Sequence, residues 1–160
     1  MNKRIEQEYR VILLLGIIEQ LKGTREEKLF NELEISSSQF AVLNHFTHNP
    51  ERRWTVSELC NVMEMNQPGI TKIVQRLIEK KLLATTADKS DARKKQLRIT
   101  DKGLKYCEYT VSLLMPDIHQ VLAHWPDDEL AGFSKHLEKL KCWLDDNRDT
   151  VILPNNSRQI

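Results

Sequence analysis

Two groups of side chains in this 160-residue sequence are typed and spaced to hold an extended anion. The first is Gln67, Pro68, Gly69, Thr71, Lys72, Gln75 and Arg76, in which Lys72 and Arg76 stand about one helical turn apart. The second is Lys89, Asp91, Arg93, Lys94 and Lys95, a set of cations around one carboxylate. Both lie in residues 66–105, which hold 11 Lys and Arg against four Asp and Glu, a balance of +7 in a chain whose net charge is only +1. A basic block in an otherwise mildly acidic chain is the footprint of a polyanion-binding surface; the plainer alternative is a solvated Lys-rich face.

Other chemistry finds no such pattern. The sequence has no Gly-rich phosphate loop, no nucleophile elbow and no His with a paired carboxylate at a known spacing, so an enzyme is not expected. His45 and His48, at i and i+3, lack a third ligand at a recognisable spacing and read as cap or surface histidines. Neither a metal nor another cofactor is expected. Cys60, Cys107 and Cys142 are odd in number and form no C-x-x-C pair, which fits a reducing, cytoplasmic setting. The longest apolar run, Val11 to Ile18, is far shorter than the ~20 residues that span a bilayer. With 40% hydrophobic and 29% charged residues, and five Gly and five Pro, neither disorder nor a disulfide scaffold fits.

The elements that must position the basic groups follow from periodicity and capping. Ser36-Ser37-Ser38-Gln39 is a capping box, with Ile35 and Phe40 placed as a hydrophobic staple, and opens a short helix that stops near Asn49-Pro50. Thr55-Val56-Ser57-Glu58 repeats the grammar and opens a helix of about two turns, with Leu59, Val62 and Met63 inward. After a turn at Glu64 to Asn66, Ile70, Ile73, Val74, Leu77 and Ile78 follow i, i+3, i+4, i+7, i+8, with Asn66 as N-cap and Pro68 in the first turn. These two helices form a helix-turn-helix. Leu82 to Thr86 and Gln96 to Thr100 then read as strands of a hairpin with a charged tip.

The flanks are helical. Residues 5–22 are apolar on too many sides for a helix with one solvated face, and the simplest cover in so small a domain is a second subunit. Gly23 followed by Thr24-Arg25-Glu26-Glu27 fits two outcomes: a new helix opened by a capping box, or a bend within one long helix. Thr100 caps a helix carrying Leu104, Cys107, Val111, Leu114, Met115, Ile118 and Val121, with a kink expected at Pro116. A last helix restarts after Trp125-Pro126 with Leu130, Phe133, Leu137, Leu140 and Leu144 in a seam suited to pairing.

From Leu77 to Gly103 the motif detail goes further. Leu77, Lys80, Leu82 and Leu83 precede Asp88, Ser90, Asp91, Ala92 and Arg93, and then Leu97, Ile99, Thr100 and Gly103. This L-x-x-K-x-L-L, D-x-S-D-A-R, L-x-I-T-x-x-G succession resembles the MarR family of transcriptional regulators. The resemblance implies a mainly α fold with a small β-hairpin wing: a winged helix-turn-helix flanked by N- and C-terminal helices that form a dimerisation region. Over one domain, 1–160, it places the DNA-binding lobe at 36–100, dimerisation helices at 1–34 and 101–147, and a flexible tail at 148–160. Two departures stand out: Lys81 where the family usually has Gly, and Thr85 where it often has Arg. A left-handed Lys costs about 1 kcal/mol against Gly, so the preceding helix is open to a different ending here.

In this reading the helix from Asn66 enters a major groove of double-stranded DNA. Gln67 faces an adenine, Gly69 removes side-chain bulk, Pro68, Thr71, Lys72 and Gln75 line the groove, and Arg76 holds a phosphate or a guanine. In the wing, Arg93 probes a minor groove and, by resemblance, is oriented by Asp91; Lys89, Lys94 and Lys95 contact the backbone. The function implied is an effector-responsive repressor acting as a homodimer on a pseudo-palindromic operator, with a small-molecule effector of unspecified identity held between dimer region and lobe. The alternatives are a winged-helix protein-interaction module, whose Lys-rich hairpin only protects an edge strand, and an oxidant-sensing regulator using a cysteine.

Overall fold

The computed structural model describes residues 2–87 and 95–152. The chain forms two compact units, residues 1–115 and 116–160.

The first unit opens with α1, Lys3–Phe30, one 28-residue helix. Gly23 therefore does not break it. The Thr24 hydroxyl, free to cap a new helix, instead donates to the carbonyl of Gln20 one turn back, and the ladder continues to a C-cap at Asn31. Ser36 and Thr55 form the two capping boxes that open α2, Ser37–His45, and α3, Val56–Met63. In the second box the backbone N–H of Thr55 donates to Glu58 Oε2 at 2.7 Å and holds that carboxyl below its ordinary range. A 3-10 turn, Phe46–His48, tightens the end of α2 ahead of Asn49-Pro50.

Glu64, in left-handed backbone at φ 52°, ends α3. The next helix, α4, runs over Gln67–Glu79 with Asn66 as N-cap, and buries Ile70, Ile73, Val74 and Leu77. It ends with Lys80 as C-cap and Lys81 at φ 63°. The Lys81 N–H donates to Ile78 O at 2.8 Å and the Leu82 N–H to Leu77 O at 2.9 Å, a Schellman closure. The left-handed position that Gly usually fills is thus kept with Lys in it, and the different ending that the substitution left open does not occur.

Strands β1, Leu83–Ala87, and β2, Lys95–Ile99, pair antiparallel with Leu83 opposite Ile99 and Ala87 opposite Lys95. Trp54 adds a third lane on the other side of β2, exchanging 2.9 and 2.7 Å hydrogen bonds with Leu97. The core is one cluster from α2, α3, α4 and the sheet, including Leu43, Phe46, Leu59, Ile70, Leu77 and Leu97. Val62, expected inside, is exposed; Met63 is half-buried against the core.

Helix α5, Asp101–Leu122, begins in the first unit and contains Pro116, where the second begins. Thr100 caps it: its Oγ1 accepts from the Gly103 N–H at 2.9 Å and donates to the carbonyl of Lys81 at 2.8 Å. Gly103 lies against the strand entry so closely that a Cβ there would sit 2.3 Å from Leu82 O. The L-x-I-T-x-x-G run is therefore a joint between α4, β2 and α5. The second unit carries α6, Asp127–Asp146, opened without a side-chain cap after Pro126, with the Trp125 and Phe133 rings 5.2 Å apart. No helix among the described residues is long and apolar enough to cross a membrane.

Candidate nucleic-acid interface

Helix α4 separates its residues cleanly. Its inner stripe is buried, and Gln67, Pro68, Lys72, Gln75 and Arg76 are exposed, with Gly69 and Thr71 half-exposed beside them. Gln67, Pro68, Thr71, Lys72 and Gln75 line one shallow surface depression. The seven residues singled out on this helix thus share the outer surface of a single element, at and below its N-terminus, where unpaired backbone N–H groups favour negative charge. Gly69 has a local reason as well: its N–H donates to Asn66 Oδ1 at 2.8 Å, and a Cβ would lie 3.0 Å from that same oxygen. Arg76 is not idle, since its Nη1 is 3.0 Å from Glu79 Oε2. Both partners are exposed, so the pair is weak and exchangeable.

In the wing, Lys95 is exposed at the start of β2. Lys89, Asp91, Arg93 and Lys94 lie outside the described residues. Two cations that the sequence reading passed over stand on the sheet. Arg53, just before Trp54, donates from Nη1 to Thr86 Oγ1 at 3.1 Å, and Arg98 is exposed on β2. Strand alternation in Lys95-Gln96-Leu97-Arg98-Ile99 contains the signal for Arg98; Arg53 could be placed only through the Trp54–Leu97 pairing.

The remaining groups have structural environments. The His45 ring packs edge-on against Trp54, 4.6 Å between centroids, and the Arg52 guanidinium lies 3.6 Å over the Trp54 ring while reaching Glu58. Burial, then His48 and Arg52, holds the His45 imidazole below its ordinary value. Burial pushes the Cys107 thiol up to about 11, leaving almost no thiolate at neutral pH. Cys60 is half-buried and Cys142 exposed. A second hollow, between the end of α1 and the start of α2, is lined by Glu27, Phe30, Asn31, Glu34, Ile35 and Ser36, among others.

Residues 33–94 match the MarR family model. The chain is 26% identical over 137 residues to the multiple antibiotic resistance protein MarR of Escherichia coli K12, covering 82% of this chain and 94% of that protein. It is similar to the structure of a MarR family protein from Bacillus stearothermophilus, with a TM-score of 0.72, 28% identity, and coverage of 91% and 99% of the two chains. A cysteine-to-serine mutant of E. coli MarR complexed with operator DNA shares the fold, with a TM-score of 0.67 at 24% identity over 84% of this chain and 95% of that one. A matched lobe, relatives aligned over nearly their whole length and an outward-facing basic helix point the same way: residues 33–94 match the MarR family, and the chain is similar over most of its length to MarR family proteins.

Proposed function

We propose that the chain is a cytoplasmic homodimeric repressor that binds a pseudo-palindromic operator in double-stranded DNA and releases it in response to a small-molecule effector. The observation that carries the reading is the outer face of α4, where Gln67, Pro68, Gly69, Thr71, Lys72, Gln75 and Arg76 stand opposite the buried side chains of Ile70, Ile73, Val74 and Leu77. That geometry suits entry into a major groove, with Gln67 on an adenine edge and Lys72 and Arg76 on bases or phosphates. Arg93, oriented by Asp91, takes the minor groove, and Lys89, Lys94 and Lys95 hold the backbone. That E. coli MarR has been solved with operator DNA supports the same use of the lobe here.

Dimerisation is assigned to residues 1–34 and 101–147, leaving 36–100 as the reading lobe and the tail from 148 outside both. The exposed apolar residues of α1 support this, because a second copy would remove them from water. Two lobes then present their α4 helices to grooves about 34 Å apart. The hollow between α1 and α2 is the place for an effector whose binding changes lobe separation.

The test is to select genomic fragments on the purified protein, then titrate the enriched duplex at increasing salt. Affinity is expected to fall by about 10³-fold or more between 50 and 200 mM. Lys72→Glu should abolish selective binding. A flat salt response overturns the reading, and full DNA binding by Arg93→Ala would favour a protein-association module instead.

A further inference from the structure

We propose that the outward face of the wing sheet is a second phosphate-binding surface, with Arg53 and Arg98 as its contacts, lying beyond the recognition helix and the hairpin tip. The proposal rests on the DNA-binding reading above and specifies a further part of that interface. The Trp54–Leu97 backbone pair fixes the segment before α3 as a lane beside β2. Because side chains alternate across a strand, the residues next to that pair fall on the opposite face from Leu97. Leu83, Leu97 and Ile99 are buried on the inner side. Arg53 and Arg98, one position from Trp54 and Leu97, therefore share the outer side with Ala84, Thr86 and Gln96, and both arginines are exposed.

Three features make this face an anion site rather than a scatter of charge. It combines two guanidiniums with small or neutral neighbours: the strand positions that share it, Ala84, Thr86 and Gln96, include no acid. Arg53 is held in place, since its Nη1 hydrogen-bonds Thr86 Oγ1 across the sheet. Like charges on neighbouring lanes repel, and a bound phosphate would convert that repulsion into attraction. The neighbouring Arg52 shows the contrast, its guanidinium being engaged by the Trp54 ring and Glu58. Guanidinium is the group suited to phosphate, and such contacts carry affinity without sequence information.

The experiment measures affinity against salt for the enriched duplex and for an unrelated duplex of equal length. It compares the wild type with Arg53→Gln, Arg98→Gln, the double variant, the charge-keeping Arg53→Lys/Arg98→Lys pair, and Lys135→Gln on α6 as a charge control. Because a bound dimer carries each arginine twice, each Gln variant is expected to lower the slope of log affinity against log salt by about 2, and the double by about 4, equally for both duplexes. The Lys pair and Lys135→Gln should keep the wild-type slope. Melting midpoints of the Gln variants establish that they are folded; if one is not, its Lys variant with the side-chain amine acetylated serves in its place. A wild type that binds while the variants keep its slope overturns this proposal alone, as does a loss confined to the enriched duplex or one matched by Lys135→Gln. A wild type that binds no duplex overturns the functional reading and this proposal with it.

Discussion

In the lobe from α2 to β2 the large apolar side chains are enclosed: Val42, Leu43, Phe46, Leu59, Ile70 and Leu77 have no exposed surface. Along α1 large apolar side chains stand in water, with Ile12 at 63% and Tyr9 and Leu21 at 65% exposure, and Ile5, Val11, Ile17 and Ile18 exposed as well. Both regions have caps and regular backbones. The difference is that the lobe has three helices and a sheet with which to close a core, whereas α1 presents apolar residues in directions that one neighbouring element cannot cover. Local helix rules are therefore satisfied in both places, while burial is complete in only one. A cost of exposure that scales with apolar area gives α1 a standing drive to associate.

The comparison breaks most visibly by truncation. Leu43→Ala should cost about 2–5 kcal/mol and lower the melting midpoint by the same amount at every protein concentration. Ile12→Ser with Leu21→Ser should instead remove the concentration dependence of melting and shift sedimentation toward the monomer; a concentration-independent wild type would show α1 to be stable as it stands. Next in size is the joint between lobe and α5. Gly103→Ala forces a methyl against the Leu82 carbonyl and is expected to cost about 1–3 kcal/mol, read by chemical denaturation. Lys81→Gly tests the lobe from the other side, and should stabilise it by about 1 kcal/mol by relieving the left-handed backbone at φ 63°.

The smallest effect is a pH dependence. His45 is held below its ordinary 6.5, first by burial against Trp54 and then by His48 and Arg52, the latter paired with Glu58. The unfolded chain then takes up a proton that the native chain refuses, so stability is full above about pH 6.5 and declines as pH falls toward the lowered value. Melting midpoints between pH 7.5 and 5 should show the decline, and His45→Gln should flatten it.

How much of this was legible in the residues depends on sequence distance. The capping boxes at Ser36 and Thr55, the N-cap at Asn66 and the stripe from Ile70 to Leu77 are patterns within a few residues, and the elements form where those patterns sit. The outer face of α4 followed at once, because the inner stripe leaves only one side to water. Gly23 was ambiguous because Thr24 can serve either as a cap or as a back-bonded helical residue, and the choice turns on the strength of the surrounding helix. Val62 sits on the apolar side of its helix by period, but the core does not reach it. Trp54's pairing with Leu97 joins residues far apart in the chain, with no turn between them to announce it. Arg53 was missed for that reason, and so was the second purpose of Gly69, which depends on the position of a single Asn66 oxygen.

The contact of Gly103 with the Leu82 carbonyl has a mechanical consequence. A side chain at such a crossing can rotate and absorb small displacements, whereas backbone seated on backbone has no such give. With Thr100 bonded to the Lys81 carbonyl as well, the first turn of α5 cannot slide without carrying the end of the reading helix and the root of the wing along with it. The outer face of α4 and the root of the wing are in that sense mounted on one stiff bracket, so that a displacement of the first turn of α5 is felt by both.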